Sequence, residues 1–257
     1  MQIQEGTGVD PIFIATNDDF TPNWAELEDK LKAGLDLVMF TNPGNPQGNV
    51  WSKEDILKIV ELTKQYNTML LVDEIYSDLV WTGQFFSPLN DKIHSHVIVC
   101  RGFSKTLATQ SWRVGYLVSS PETVRKIMAH ADPVYISVSW TQHSLAEYLN
   151  EDYEDYVDHI KRTSELMQYN WKQLSSAFHS VLGWIPVNPS GSMYGLFKHN
   201  SATDREAILE GLKKGVGAAP GNIFYPGVPE NTGYVRIHVG ISKDKCDEIV
   251  KLINKSS

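Results

Sequence analysis

The sequence predicts an α/β protein: a mostly parallel sheet domain over residues 1–148, incomplete at its start, and a smaller α+β lobe over residues 149–257. Two observations carry that prediction. In the first half, short apolar runs alternate with helix-like stretches, the signature of α/β units around a parallel sheet. After about residue 145 the texture changes to one long helical stretch, then strand-like pieces gathered between helices.

The elements follow in order. Residues 12–15 are apolar enough for a short strand, and 23–32 place Trp24, Leu27 and Leu31 on one helical face. Residues 35–40 form an apolar strand running into the turn Asn42-Pro-Gly-Asn-Pro-Gln-Gly48. Ser52 is a helix cap, with Glu54 and Asp55 in the first turn and Ile56, Ile59, Val60 and Thr63 at helical spacing. Residues 68–72, 96–100 and 115–118 are further strands, and unbroken apolar runs of this kind predict burial on both faces. A helix over 144–178 breaks near Glu151. Strands at 183–187, 192–197 and 234–239 and helices at 203–214 and 242–254 complete the lobe.

Composition narrows the function classes. The chain has 257 residues, 42% hydrophobic and 21% charged, with a formal net charge of -8. That acidic balance argues against nucleic acid or an anionic membrane surface as the main partner. Two cysteines, Cys100 and Cys246, are too few for a disulfide framework or a four-cysteine zinc site and suit a reduced cytoplasmic home. Residues 1–5 show no signal-peptide pattern, and no apolar run approaches the ~20 residues of a membrane span. His94 and His96 lack a third ligand nearby, so no metal is expected, and the acidic run Glu151–Asp155 is expected to be a solvated helix face.

Chemically capable residues stand at the ends of the predicted strands, where open sheets bind ligands. They are Asn45, then Asp73 and Tyr76, then Lys105 with Arg113 eight residues on, and finally Arg236. A lysine after a buried strand becomes a nucleophile or a base if it is desolvated. An aspartate at the next strand end needs a cationic or hydrogen-bonded partner. The two could pair with each other, or the lysine could form a Schiff base while the aspartate faces a protonated ring nitrogen.

Five strings then resemble one family. Thr41-Asn-Pro-Gly-Asn-Pro-Gln-Gly48, Asp73-Glu-Ile-Tyr76, Gly102-Phe-Ser-Lys105 with Ser111-Trp-Arg-Val-Gly-Tyr116, Ala219-Pro-Gly-Asn-Ile-Phe224 and Tyr234-Val-Arg-Ile237 are similar, in order and spacing, to motifs of the class I/II pyridoxal-phosphate (PLP) aminotransferases. The resemblance implies the PLP-transferase large domain and its small lobe. It implies transfer of an amino group between an amino acid and a 2-oxo acid through a Lys105 aldimine. Lys105 would also be the general acid and base, Asp73 would hold the pyridinium nitrogen, and Tyr76 and Asn45 would donate to the ring phenolate oxygen. Arg113 would hold the phosphate. Arg236 would grip the substrate α-carboxylate, with Asn45 alongside. The resemblance further implies a homodimer.

Gln47 stands where the family usually has threonine, and Gly102 where many members have a serine that touches phosphate. Only 44 residues precede Asn45, where the family carries a long segment with a phosphate loop and a stacking aromatic, so a fragment or truncated product is expected. Two alternatives stay open beside transamination: a carbon–sulfur lyase of the same fold, which shares these residues, and a lobe without activity. A nucleotide hydrolase fails, because the acid-ended strand before Glu74 has no Gly-Lys-Ser/Thr loop upstream.

Overall fold

A computed structural model describes residues 8–131 and 138–255, so the reading of residues 1–5 lies outside the described residues. The chain builds two four-stranded sheets. The first contains β1 (Leu37–Thr41), β2 (Met69–Asp73), β3 (Val97–Gly102) and β4 (Gly115–Val118), in that order. β1, β2 and β3 are parallel, and β4 returns antiparallel along β3. Helices α1 (Trp24–Ala33) and α2 (Lys53–Gln65) cover one face.

Local chemistry explains these helices. Asn23 and Ser52 accept backbone N–H bonds from Glu26 and Asp55, satisfying donors that a helix start leaves open. α2 buries Ile56, Ile59, Val60 and Thr63, the face expected from their spacing. Each such aliphatic residue contributes about 1.5–3 kcal/mol on full burial. Leu27, Leu31, Ile59 and Val60 meet Val38, Leu70, Val72, Val97 and Val99 in one core.

Two expectations are corrected. Burial on both faces does not hold at β1, where Leu37 is 47% and Met39 60% exposed, or at β4, where Tyr116 is 45% exposed. Strand residues alternate between faces, and α1 and α2 shield only the face that carries Val38. Residues 12–15 form no strand, the nearest pairing being an isolated bridge between Thr16 and Pro22.

After α3 (Pro121–Ala131) come α4 (Ser139–Glu151) and the long α5 (Tyr153–Leu182), separated at Asp152 as the sequence predicts. The acidic run spans that break, with residues 151–155 exposed. The second sheet has the order β5 (Ile185–Val187), β6 (Tyr194–Lys198), β8 (Tyr234–His238), β7 (Ala219–Pro220), and every pairing is antiparallel. Helix α6 (Asp204–Lys213) follows β6, and α7 (Lys243–Lys255) follows β8. Its core joins Trp171, Leu174 and Phe178 of α5 to Phe197, Val235 and Ile237 of the sheet and Ile253 of α7. Gly195 is required there, because a Cβ would run into the Trp171 ring. Among the described residues no helix is long and apolar enough to cross a membrane.

Candidate active site

Register brings the strand ends together. Thr41 stands beside Asp73, and Asp73 beside Cys100. The Asn42 turn, Asp73 and the segment leading to Lys105 therefore leave the first sheet at its carboxyl edge, where such sheets bind ligands. The ladder continues past the strands, with Asn42 N–H donating to Asp73 O (2.9 Å) and Glu74 N–H to Cys100 O (2.8 Å).

The Asn42 turn is then carried to the second sheet. Ser190 and Gly191 donate to Gly48 O at 2.8 and 2.9 Å. Gly48 has φ +72, and a Cβ there would lie 2.5 Å from Pro189 Cβ and 2.9 Å from the carbonyl oxygens of Gly191 and Tyr194. Only glycine combines that backbone with so close an approach. The docking delivers Asn45 to β8, where its Oδ1 accepts from Arg236 Nη1 at 2.8 Å.

Period-two alternation on β8 buries Val235 and Ile237 and turns Tyr234, Arg236 and His238 to the opposite face. The Arg236 guanidinium carbon lies 3.9 Å from the centroid of the Tyr194 ring and 4.4 Å from that of Phe224. Burial lowers the Arg236 pKa, an effect that Tyr194 and Tyr76 oppose. Among the described residues Arg236 pairs with no carboxylate, so its remaining donors are available to a ligand.

Asp73 presents the opposite case. It is half-buried, and among the described residues its carboxylate has one hydrogen bond, from Ile75 N–H to Oδ1 at 3.1 Å. Burial raises its pKa, and that single backbone donor offsets the rise only in part. Its neighbour Glu74 has a cation, Arg101, at 2.7 Å. Among the described residues Asp73 has none, and the pairing of Asp73 with Lys105 that the sequence left open is not made there.

Tyr76 lies between these charges. It is 4% exposed, packs edge-on to Tyr194 at 6.1 Å, and feels the charges of both Asp73 and Arg236. Burial and the adjacent Tyr194 raise its phenol pKa, so it is held as a donor. Lys105 is half-buried and makes no ion pair among the described residues. Desolvation, and after it the charges of Arg236 and Lys105, lower the His238 imidazole pKa. Arg113 is not drawn into this group: it is exposed, with φ +57, and its Nη1 donates to Gln110 O at 2.9 Å.

The structure thus gathers Asn45, Tyr76 and Arg236 with Tyr194, has Asp73 three residues before Tyr76, and holds Lys105 half-buried on the segment after β3. Sequence reasoning missed Tyr194, Phe224 and His238. Alternation along β8 was sufficient to place His238 beside Arg236. Tyr194 needed the cross-strand register, Tyr194 opposite His238, and Phe224 needed the fold of its loop.

The chain is similar to known proteins along most of its length. A family model described as aminotransferase class I and II matches residues 2–253. The aspartate aminotransferase of Sulfurisphaera tokodaii is 28% identical over 244 residues, covering 90% of this chain and 59% of that protein. That of Thermotoga maritima is 28% identical over 257 residues, covering 98% and 64%. A solved aspartate aminotransferase from Thermotoga maritima aligns at TM-score 0.77 and 27% identity over 94% of this chain and 62% of that chain. A Thermus thermophilus aspartate aminotransferase with maleate aligns at TM-score 0.84 and 22% identity, over 96% and 64%, and shows the shared fold. The chain spans about 60% of the length of the curated relatives it matches.

Proposed function

We propose PLP-dependent amino-group transfer between an amino acid and a 2-oxo acid from one premise: the chain belongs to the aminotransferase class I and II family. One observation supports the reading most directly. Asp73 stands three residues before Tyr76, whose ring packs edge-on to the Tyr194 ring that the Arg236 guanidinium covers, yet among the described residues Asp73 and Arg236 do not pair with each other. A carboxylate without a cation and a guanidinium without a carboxylate, at one site, suit a ligand that carries both complements. An amino-acid substrate bound to a cofactor with a cationic ring is such a ligand.

PLP, when bound, supplies the electron sink that makes the substrate α-carbon acidic. The residues here fit it. Asp73 would hold the ring nitrogen's proton, which relieves the cost of its own burial. Tyr76, kept protonated, would donate to the ring oxygen, and the Asn45 amide, whose Oδ1 is already taken by Arg236, would donate through Nδ2. Lys105 Nζ would attach the cofactor and take and return the proton at the α-carbon. Arg236 would bind the α-carboxylate as a planar fork, a task that lysine performs poorly. Arg113 would offer a phosphate the guanidinium donors that Gln110 O does not take.

The division at residues 148/149 is supported by the two sheets and their separate cores, although Tyr76 and Leu79 join the second core from the first domain. Homodimer formation and a cytoplasmic location belong to the same proposal.

The test is to mix the purified chain with PLP, record absorbance, reduce with borohydride and map the labelled peptide. Label on Lys105, lost in Lys105→Ala, is the expected result. Equal labelling of Lys105→Ala would sink the assignment. A folded chain that takes no label would favour a lobe without activity.

A further inference from the structure

We infer that Asp204 is a positioning residue for the carboxylate site at Arg236, acting by closing the loop over residues 221–233 so that Phe224 lies on the guanidinium. The inference rests on the reading of Arg236 as a carboxylate site. Asp204 opens α6, but the cap of that helix is Thr203, whose Oγ1 accepts from Glu206 N–H at 3.1 Å. The Asp204 carboxylate instead turns back into the protein. Its side chain is fully buried, as is that of His199, whose Nε2 donates to Oδ1 at 2.9 Å.

Four further donors come from the two ends of one loop. Asn222 N–H gives 2.7 Å to Oδ2 at the start, in the 3-10 turn Gly221–Phe224. Thr232 N–H gives 2.9 Å and Gly233 N–H 3.1 Å to Oδ1 at the end, and Thr232 Oγ1 gives 2.7 Å to Oδ2. A carboxylate with this many donors is a strong anchor. Asp204 N–H also donates to Glu230 O at 3.3 Å, while Ile223 (56%), Tyr225 (42%) and Val228 (60%) face solvent and add little apolar burial to the loop. Asn222 stands two residues before Phe224, the ring 4.4 Å from Arg236. Gly233 stands three residues before Arg236 itself. The β8 ladder places Arg236, opposite Leu196 and Ala219, and the one buried carboxylate ties down both ends of the loop that carries Phe224 over it.

The experiment titrates the full 257-residue chain with propionate while following the Arg236 guanidinium signals by NMR, in the parent, Asp204→Asn, Phe224→Leu and the double variant. Asp204→Asn and Phe224→Leu should each weaken propionate binding about 3- to 30-fold, the range of a partly desolvated cation–π contact. The double variant should be no weaker than the worse single variant, because both remove the same contact. Amide exchange at Asn222, Thr232 and Gly233 should quicken in Asp204→Asn and the double variant but not in Phe224→Leu. Additive losses, or parent-like binding with those amides exposed, would overturn the inference. Thr232→Val, which removes one donor, carries the same comparison if Asp204→Asn does not fold. A parent that fails to bind propionate ends the Arg236 assignment and this role with it. Borohydride labelling of Lys105 in the same preparation then reports separately on the wider reading.

Discussion

Asp73 and Asp204 are the same residue placed in two regions of one chain, and their environments shift them in opposite directions. Asp73, at the edge of the parallel sheet, has one backbone donor and a pKa raised by burial. At Asp204, beside the antiparallel sheet, burial also pushes the pKa up, but the bonds from Thr232, His199 and Asn222 outweigh it and the pKa falls. The difference separates architecture from function. A carboxylate surrounded by donors is holding the fold together. A half-buried carboxylate left short of partners raises the energy of the folded chain, and a ligand with a matching cation relieves that cost.

Neutralising each in turn is the strongest way to break the comparison. Asp204→Asn places an NH₂ group among donors and should cost about 3 kcal/mol in urea unfolding. Asp73→Asn should leave the apo chain as stable or more so while impairing PLP retention, because a stressed site trades stability for function. Equal losses in the two variants would erase the distinction drawn here.

Acid titration of the same proteins gives the second test. The folded pKa of Asp204 is depressed, so its stabilising effect is present above the usual carboxylate range and disappears as pH falls through the folded value. Asp73 has a raised folded pKa and so favours folding below the usual range, an advantage lost as pH rises through the raised value. Plotting urea midpoints against pH, Asp204→Asn should flatten the acid-side loss. Asp73→Asn should remove the opposing slope. Curves that superimpose on the parent would contradict both assignments.

Gly48→Ala sharpens the comparison where the two regions meet. A Cβ at φ +72 collides with Pro189, Gly191 and Tyr194, so a cost of roughly 1–3 kcal/mol is expected. The Asn45–Arg236 bond should weaken with it, read as a change in the Arg236 NMR signals. Ser52→Ala is the smallest change. It should cost about 1 kcal/mol by uncapping α2 and leave both aspartates undisturbed. An altered acid profile in Ser52→Ala would show that the profile reports global stability rather than the two carboxylates.

Much of the fold was legible in the sequence, because short-range rules governed it. Ser52 and the spacing Ile56, Ile59, Val60, Thr63 specified α2, and the polar residues Thr41 and Asp73 after their apolar runs marked the ends of β1 and β2. The exposure of Leu37 and Met39 was not legible, because an apolar strand reads the same whether one face or both are covered. Residues 12–15 have strand composition but lack the neighbour that makes a strand.

By itself the sequence determined the family, the order of the elements and the chemically capable residues Asn45, Asp73, Tyr76, Lys105, Arg113 and Arg236. Tertiary structure alone decided which of them meet. Asn45 and Arg236, 191 positions apart, are joined by a hydrogen bond, whereas Arg113, eight residues from Lys105, stays on its own loop. It also decided that Tyr194 and Phe224 would enclose Arg236 and that Asp204 would hold Phe224 there. The physical reason is range. Caps and periodicity act within a few residues along the chain, whereas cation–π contacts and buried carboxylates depend on distances that exist only after the two sheets are placed.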